Sequence, residues 1–182
     1  IFFQDHREGC LRWDLMGDHN RMNALAALSA ARHTGVPAHV GIEALMQFKN
    51  VKRRMEKRGV VQGITIYDDF AHHPTAIETT VHGLRARVGK QRIIAVLEPR
   101  SNTMKLGVWQ HSLADSLSEA DDVFCFSRDA QWAKNALQQL GNKATCHDQL
   151  DALIKGICKI SRTGDHILIM SNGGFDGIHE KL

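Results

Sequence analysis

From Val51 onward the sequence predicts an α/β domain: a Rossmann-like, mostly parallel sheet with helices on both faces, preceded by a helical tail. Three observations predict it. Short apolar runs alternate with helical patterns of about 10 to 15 residues, as in strand–helix–strand units. Two of the runs, Ile93-Ile94-Ala95-Val96-Leu97 and Ile167-Leu168-Ile169-Met170, are apolar throughout, as strands buried on both faces are. Polar clusters follow the runs, at the carboxyl ends of the strands, where such sheets bind ligands.

Ile1 to Gln4 reads as the end of a strand. Gly17-Asp18-His19-Asn20 offers a turn and a helix N-cap from Asp18 or Asn20. Residues 22–31 carry helical spacing, with Leu25, Ala26, Leu28 and Ala31 apolar, and Thr34-Gly35-Val36-Pro37 ends that helix. Residues 42–48 form a second short helix. The pattern changes at Asn50, which sets the expected boundary between a unit at 1–49 and a domain at 50–182. Strands are expected at 54–61 and 64–67, joined by a Gln62-Gly63 turn, the second running into Asp68-Asp69. Pro74 suits the first turn of a helix, and 76–88 continues it. Further strands fall at 92–97, 122–126, 144–146 (a short edge) and 167–170. Helices fall at 106–120, 130–140 and 150–161, and a glycine turn follows at Ser171-Asn172-Gly173-Gly174.

Composition narrows the classes. Of the 182 residues 43% are hydrophobic, enough for a core, and no apolar run reaches the length of a membrane-spanning helix. The opening Ile1-Phe2-Phe3-Gln4-Asp5-His6-Arg7-Glu8 lacks a signal-peptide pattern and an initiating Met, and reads as the interior of a longer chain. A net charge of +3 is too mild to imply a nucleic-acid partner, and the basic cluster Lys52-Arg53-Arg54 with Lys57-Arg58 is interrupted by Glu56. The four cysteines (Cys10, Cys125, Cys146, Cys158) are far apart in sequence and form no CxxC pair, which fits reduced thiols in a cytoplasmic protein.

Four clusters carry candidate chemistry. In Asp68-Asp69-Phe70-Ala71-His72-His73-Pro74-Thr75, a carboxylate at a strand tip suits a ribose diol, and the helix that follows points free N–H groups at an anion. The blander alternative is a polar turn with Asp69 as a cap. The paired histidines invite a metal reading, but neighbours in an extended segment point oppositely and chelate one ion poorly. No metal ligand is assigned. Glu98-Pro99-Arg100-Ser101-Asn102-Thr103-Met104-Lys105 offers a guanidinium clamp, hydroxyls and amides for a substrate with several carboxylates, or else is a solvated loop. Ser171 to Gly177 is glycine-rich but lacks a phosphate-loop spacing, so a tight turn explains it as well. His19, Asn20 and Asn23 sit at a helix start, where amides can read an adenine edge or simply cap.

Together and in this order these clusters resemble the Mur ligase family. Gly17 to Ala27 resembles the G-x-HN-x-x-NA-x-AA helix near the end of its central domain, and Lys52-Arg53-Arg54-Met55-Glu56 the element opening its C-terminal domain. Asp68 to Thr75 resembles DDYxHHPTE, with Phe70 in place of Tyr and Ala76 in place of the trailing Glu. The Glu98–Gly107 loop departs from the L-alanine-adding branch and from the folylpolyglutamate synthetases. It resembles the branch that joins a recycled murein tripeptide, L-alanyl-γ-D-glutamyl-meso-diaminopimelate, to UDP-N-acetylmuramic acid.

The resemblance implies a cytoplasmic, ATP-dependent C–N ligase working through an acyl phosphate, with no membrane or nucleic-acid partner. It assigns His19, Asn20 and Asn23 to adenine, Asp69 to ribose, and Arg54 to the phosphates. Arg54 and His72 are the catalytic candidates. Arg100, Ser101, Asn102, Thr103 and Lys105 would hold the peptide. The phosphate loop and the Mg2+ ligands belong to a central domain, and the UDP-sugar site to an N-terminal domain, both outside this chain. The chain alone is therefore expected to be inactive. A stand-alone nucleotide-binding module is the alternative from another class.

Overall fold

The computed structural model describes residues 1–99 and 110–182. The chain divides into two compact units, Ile1–Val51 and Lys52–Leu182.

The first unit is mainly helical. β1 (Phe2–Phe3) pairs antiparallel with β2 (His6–Arg7), so the strand expected at the start is half of a small hairpin. Gln4 and Asp5, both left-handed, make its turn. Helix α1 is Asp18–His33 and α2 is Ala38–Met46. Gly17, not Asp18 or Asn20, caps α1, and no side chain closes its first turn. Gly41 lets the two helices approach: a Cβ there would lie 2.8 Å from Leu28 Cδ2. Only Ala24, Leu28 and Ile42 form a buried core here, while Met22, Leu25, Val40, Met46 and Phe48 are exposed.

The second unit holds one sheet of six strands: β3 (Glu56–Val61), β4 (Ile64–Asp69), β5 (Ile93–Glu98), β6 (Asp122–Phe126), β7 (Ala144–His147) and β8 (His166–Ser171). Their order is β3-β4-β8-β5-β6-β7. All pairs are parallel except β3–β4, a hairpin through Gln62-Gly63. Both loop residues have positive φ (51° and 79°), the two-residue loop that matches strand twist. The expected strand at 54–61 starts later, at Glu56, because Arg53 and Met55 are left-handed (φ 59° and 48°) and cannot join a ladder.

Helices α3 (Pro74–Val88), α4 (Gln110–Ser116), α5 (Ala130–Ala136), α6 (Leu150–Ile160) and α7 (Ile178–Lys181) complete the unit. The helix expected at 130–140 ends at Ala136 and continues as a 3₁₀ segment, Gln138–Lys143, kinked at Gly141. Of the helix expected at 106–120, residues 106–109 lie outside the described residues. One sheet face packs Ile66, Ile94, Val96, Phe124, Ile167 and Ile169 against Leu153 and Ile157 of α6 and against Phe175 and Ile178. Strand alternation sends Ala95, Leu97, Cys125, Leu168 and Met170 to the other face. Fully burying each large apolar chain stabilises by about 1.5–3 kcal/mol, which holds the strand tips in fixed register.

Candidate functional site

The carboxyl ends of β4, β8, β5 and β6 lie side by side at one sheet edge. At the tip of β4, Asp69 is 4% exposed. Its Oδ2 accepts from the Met55 amide at 2.7 Å, and its Oδ1 from the Ala71 amide at 2.7 Å and the Thr80 hydroxyl at 3.4 Å. Burial raises its pKa. The Met55 and Ala71 amides, Arg54 and Thr80 pull the other way. A carboxylate has about four lone-pair sites, so these three donors leave an acceptor direction open. Asp69 is thus both the cap of its turn and a residual acceptor.

Arg54 is exposed, its guanidinium carbon 5.4 Å from the centre of the Phe70 ring, and its charge acts on Asp69. His72 is half-buried at the start of α3. Its Nδ1 lies 2.9 Å from the Phe70 carbonyl, an acceptor only, so Nδ1 donates there, and in the neutral ring Nε2 is the acceptor. No group of three or more His, Cys, Asp or Glu among the described residues is arranged to hold a metal ion.

Beyond β5, β6 and β8 lies a cavity of about 520 Å3 lined by Glu98, Phe126, Ser127, Arg128, Asp129 and Asp176. A further hollow of about 410 Å3 shares Phe126, Arg128 and Asp176 with it and adds Asp148. One guanidinium among several carboxylates suits a ligand carrying both ammonium and carboxylate groups. The wall is built locally. Asp129 caps α5 by accepting from the Trp132 amide at 2.9 Å, and Ser171 Oγ donates to Glu98 Oε2 at 2.7 Å across the tips of β8 and β5. Asp176 is held left-handed (φ 46°), which turns the chain over the buried Phe175.

In the first unit, His19, Asn20 and Asn23 lie on the first two turns of α1. His19 and Asn23 are exposed, and Asn20 Nδ2 donates to the Met16 carbonyl at 2.6 Å. Arg100, Ser101, Asn102, Thr103 and Lys105 lie outside the described residues. Sequence reasoning gave Arg128, Asp129 and Asp176 no role, although Asp176 falls in the Ser171–Gly177 cluster. Their signal was position after a strand, since no motif spacing marks them.

This arrangement belongs to a defined class. The family profile "Mur ligase, glutamate ligase domain" matches residues 53–173, and the chain belongs to the Mur ligase family. Over its whole length it is 47% identical to the UDP-N-acetylmuramate–L-alanyl-γ-D-glutamyl-meso-2,6-diaminoheptandioate ligase of Escherichia coli (strain K12), covering 40% of that protein. It superposes on a murein peptide ligase of Psychrobacter arcticus with a TM-score of 0.73 at 40% identity, over all of this chain and 40% of that one. The UDP-N-acetylmuramate–alanine ligase of Thermotoga maritima shares the fold, with a TM-score of 0.80 at 22% identity over 97% of this chain and 40% of that one. The chain thus spans about two fifths of the length of these curated relatives.

Proposed function

We propose that this chain is the nucleotide-closing part of an ATP-dependent ligase that joins the tripeptide L-alanyl-γ-D-glutamyl-meso-diaminopimelate to UDP-N-acetylmuramic acid in the cytoplasm. Lys52–Leu182 is then its C-terminal domain and Ile1–Val51 the tail of its central ATP-binding domain. The exposed Met22, Leu25, Val40, Met46 and Phe48 fit a tail whose apolar surface the rest of a larger domain covers. One observation carries the reading: a single sheet edge sets the Arg54–Asp69–His72 group beside a mixed-charge cavity sized for a small peptide.

In this reading the sugar's carboxylate attacks the γ-phosphorus of ATP, releasing ADP and leaving an acyl phosphate. The peptide's amine, having lost its proton, attacks the acyl carbon, and the tetrahedral intermediate expels phosphate as the amide forms. Arg54 places a positive charge where phosphoryl transfer builds negative charge. Asp69 receives the ribose through its remaining lone pair, and His19, Asn20 and Asn23 serve the adenine. His72, through Nε2, lies on the ATP side as acceptor for a proton. The peptide falls to the cavity around Arg128 and Asp176, with Arg100, Ser101, Asn102, Thr103 and Lys105 assigned to it by resemblance. Mg2+ would supply charge neutralisation on the phosphates. In this reading its ligands lie in the central ATP-binding domain.

The test is steady-state kinetics of the full-length ligase. Arg128→Ala and Arg100→Ala should each raise the KM for peptide more than that for ATP, and Arg54→Ala should do the reverse. Equal effects on both substrates would remove the assigned division. The 182-residue chain alone should show no turnover and weak or no ATP binding by calorimetry. Tight ATP binding without partner domains would favour a stand-alone nucleotide module.

A further inference from the structure

Arg53 is an unassigned cation at the centre of the edge. Its Nη2 donates to the Ser171 carbonyl at 2.5 Å and to the Gly173 carbonyl at 2.8 Å, both in the turn after β8. Its Nε faces Asp68 Oδ2 at 3.5 Å, at the tip of β4, where Asp68 is 3% exposed. Its guanidinium carbon lies 5.3 Å from the Phe70 ring centre. The backbone of Arg53 is tied as well. Its amide donates to Glu56 Oε2 at 2.8 Å, and its carbonyl accepts from the Phe70 amide at 2.9 Å. Left-handed φ at Arg53 and Met55 lets the Arg53 side chain turn inward while the Met55 amide reaches Asp69. That strain persists only because the surrounding bonds over-determine it.

We infer that Arg53 is a positioning residue that clamps the tip of β4 to the turn after β8, so that the nucleotide-facing Asp69 and the cavity wall ending in Asp176 are held as one unit. The guanidinium suits this role because its planar fork serves two carbonyls and a carboxylate at once, which a lysine ammonium on a flexible stem cannot do. It also balances a buried carboxylate. Among the described residues, Asp68 Oδ1 has no hydrogen-bond partner, and His179 Nε2 lies 3.4 Å from it. Without Arg53, Asp68 keeps the weakly placed His179 and the glycine turn loses its tether.

Two arms test this, and only the kinetic arm rests on the ligase reading. The first uses the 182-residue chain, with Arg53→Lys and Arg53→Gln. Both variants should speed amide exchange at Gly173 and Gly174 by about tenfold, the effect of losing charge-assisted hydrogen bonds. Burial above all lowers the proton affinity of His179, which faces Asp68, Arg58, Arg53 and Glu56, and the Arg58 and Arg53 charges add to the lowering. Its NMR titration should therefore move to higher pH in Arg53→Gln and stay near the parent in Arg53→Lys. Parental exchange in Arg53→Lys overturns the clamp, and that variant decides alone if Arg53→Gln does not fold. The second arm measures Arg53→Lys in the full-length ligase. The KM for ATP and the KM for peptide should both rise by about fivefold or more, with a lower kcat, in a variant that stays folded at the assay temperature. Parental values of all three overturn the positioning role even if exchange is faster. A parent ligase that shows no ligation at all overturns the ligase reading instead and leaves the exchange result to decide Arg53.

Discussion

The two ends of the sheet are built on opposite terms. At the amino end, charges are matched and closed. Arg92 binds Asp122 at 2.8 Å, Asp165 at 3.2 Å and the Ile160 carbonyl at 2.9 Å. Arg85 binds Asp121 at 2.6 Å and the carbonyls of Gly89, Gln91 and Glu119. Asp121 in turn accepts from the Ile93 amide, and Asp165 from the Arg162 amide. At the carboxyl end, the four buried side-chain atoms found without a hydrogen-bond partner among the described residues belong to Asp68, Trp132, His147 and His179. The left-handed Arg53, Met55, Phe175 and Asp176 gather there too. One end spends its polar groups on holding the fold. The other leaves several of them unsaturated and strained, as the proposed substrate-facing edge would.

Substitutions can break this contrast. Arg92→Ala strips the guanidinium from Asp122 and from Asp165, which is 5% exposed and keeps the Arg162 amide. Because Arg92 itself is partly exposed and Asp165 keeps the Arg162 amide, the loss should be no more than about 3 kcal/mol, the low end for breaking a buried ion pair, read by chemical denaturation. Catalytic parameters of the surviving folded enzyme should not change. Asp69→Asn keeps the shape but turns a donor toward either the Met55 or the Ala71 amide. Stability should drop by about 1–3 kcal/mol, and the KM for ATP in the full-length ligase should rise with it. A stability loss with no change in that KM would make Asp69 a cap and nothing more. Asp176→Gly relieves a left-handed side chain and should stabilise by up to about 1 kcal/mol while raising the KM for peptide. A stabilised variant with parental peptide KM would show that the strain there has no functional use.

A pH series sharpens the contrast at both ends. Burial lowers the proton affinity of His147 and His179 at the carboxyl end and of His166 at the amino end. Each binds protons less readily folded than unfolded. Their share of stability is therefore complete above the ordinary imidazole value near 6.5 and is lost as pH falls below it. Denaturation midpoints should decline through that window. Replacing His179 by Gln should flatten the decline, and an unaltered slope would mean His179 is solvated in solution.

Most of this architecture was legible because strand and helix periodicity differ and because the parallel strands are apolar throughout. The span 122–126 needed no adjustment. Boundaries failed where a single residue overrides a pattern: left-handed Arg53 and Met55 delay β3, and Gly141 kinks the segment after α5. The site was half legible. Asp68 to Thr75 stood out because its residues are contiguous. The Arg53 clamp did not, since it joins positions 118 and 120 residues apart, and a sequence cannot say which of two adjacent arginines turns inward. The cavity residues Arg128 and Asp176 come from different strand ends and meet only once the sheet is formed.

The order β3-β4-β8-β5-β6-β7 also constrains how the domain can be made. Its central strand, β8, comes after every other strand in the chain and inserts between β4 and β5. Until His166–Ser171 is synthesised, the emerging chain can form only a hairpin and a separate three-stranded piece, each with an open, apolar edge. A chain stopped short of His166 would thus be an aggregation-prone pair of half-sheets rather than a smaller domain, and chaperone demand during translation should peak just before that strand appears.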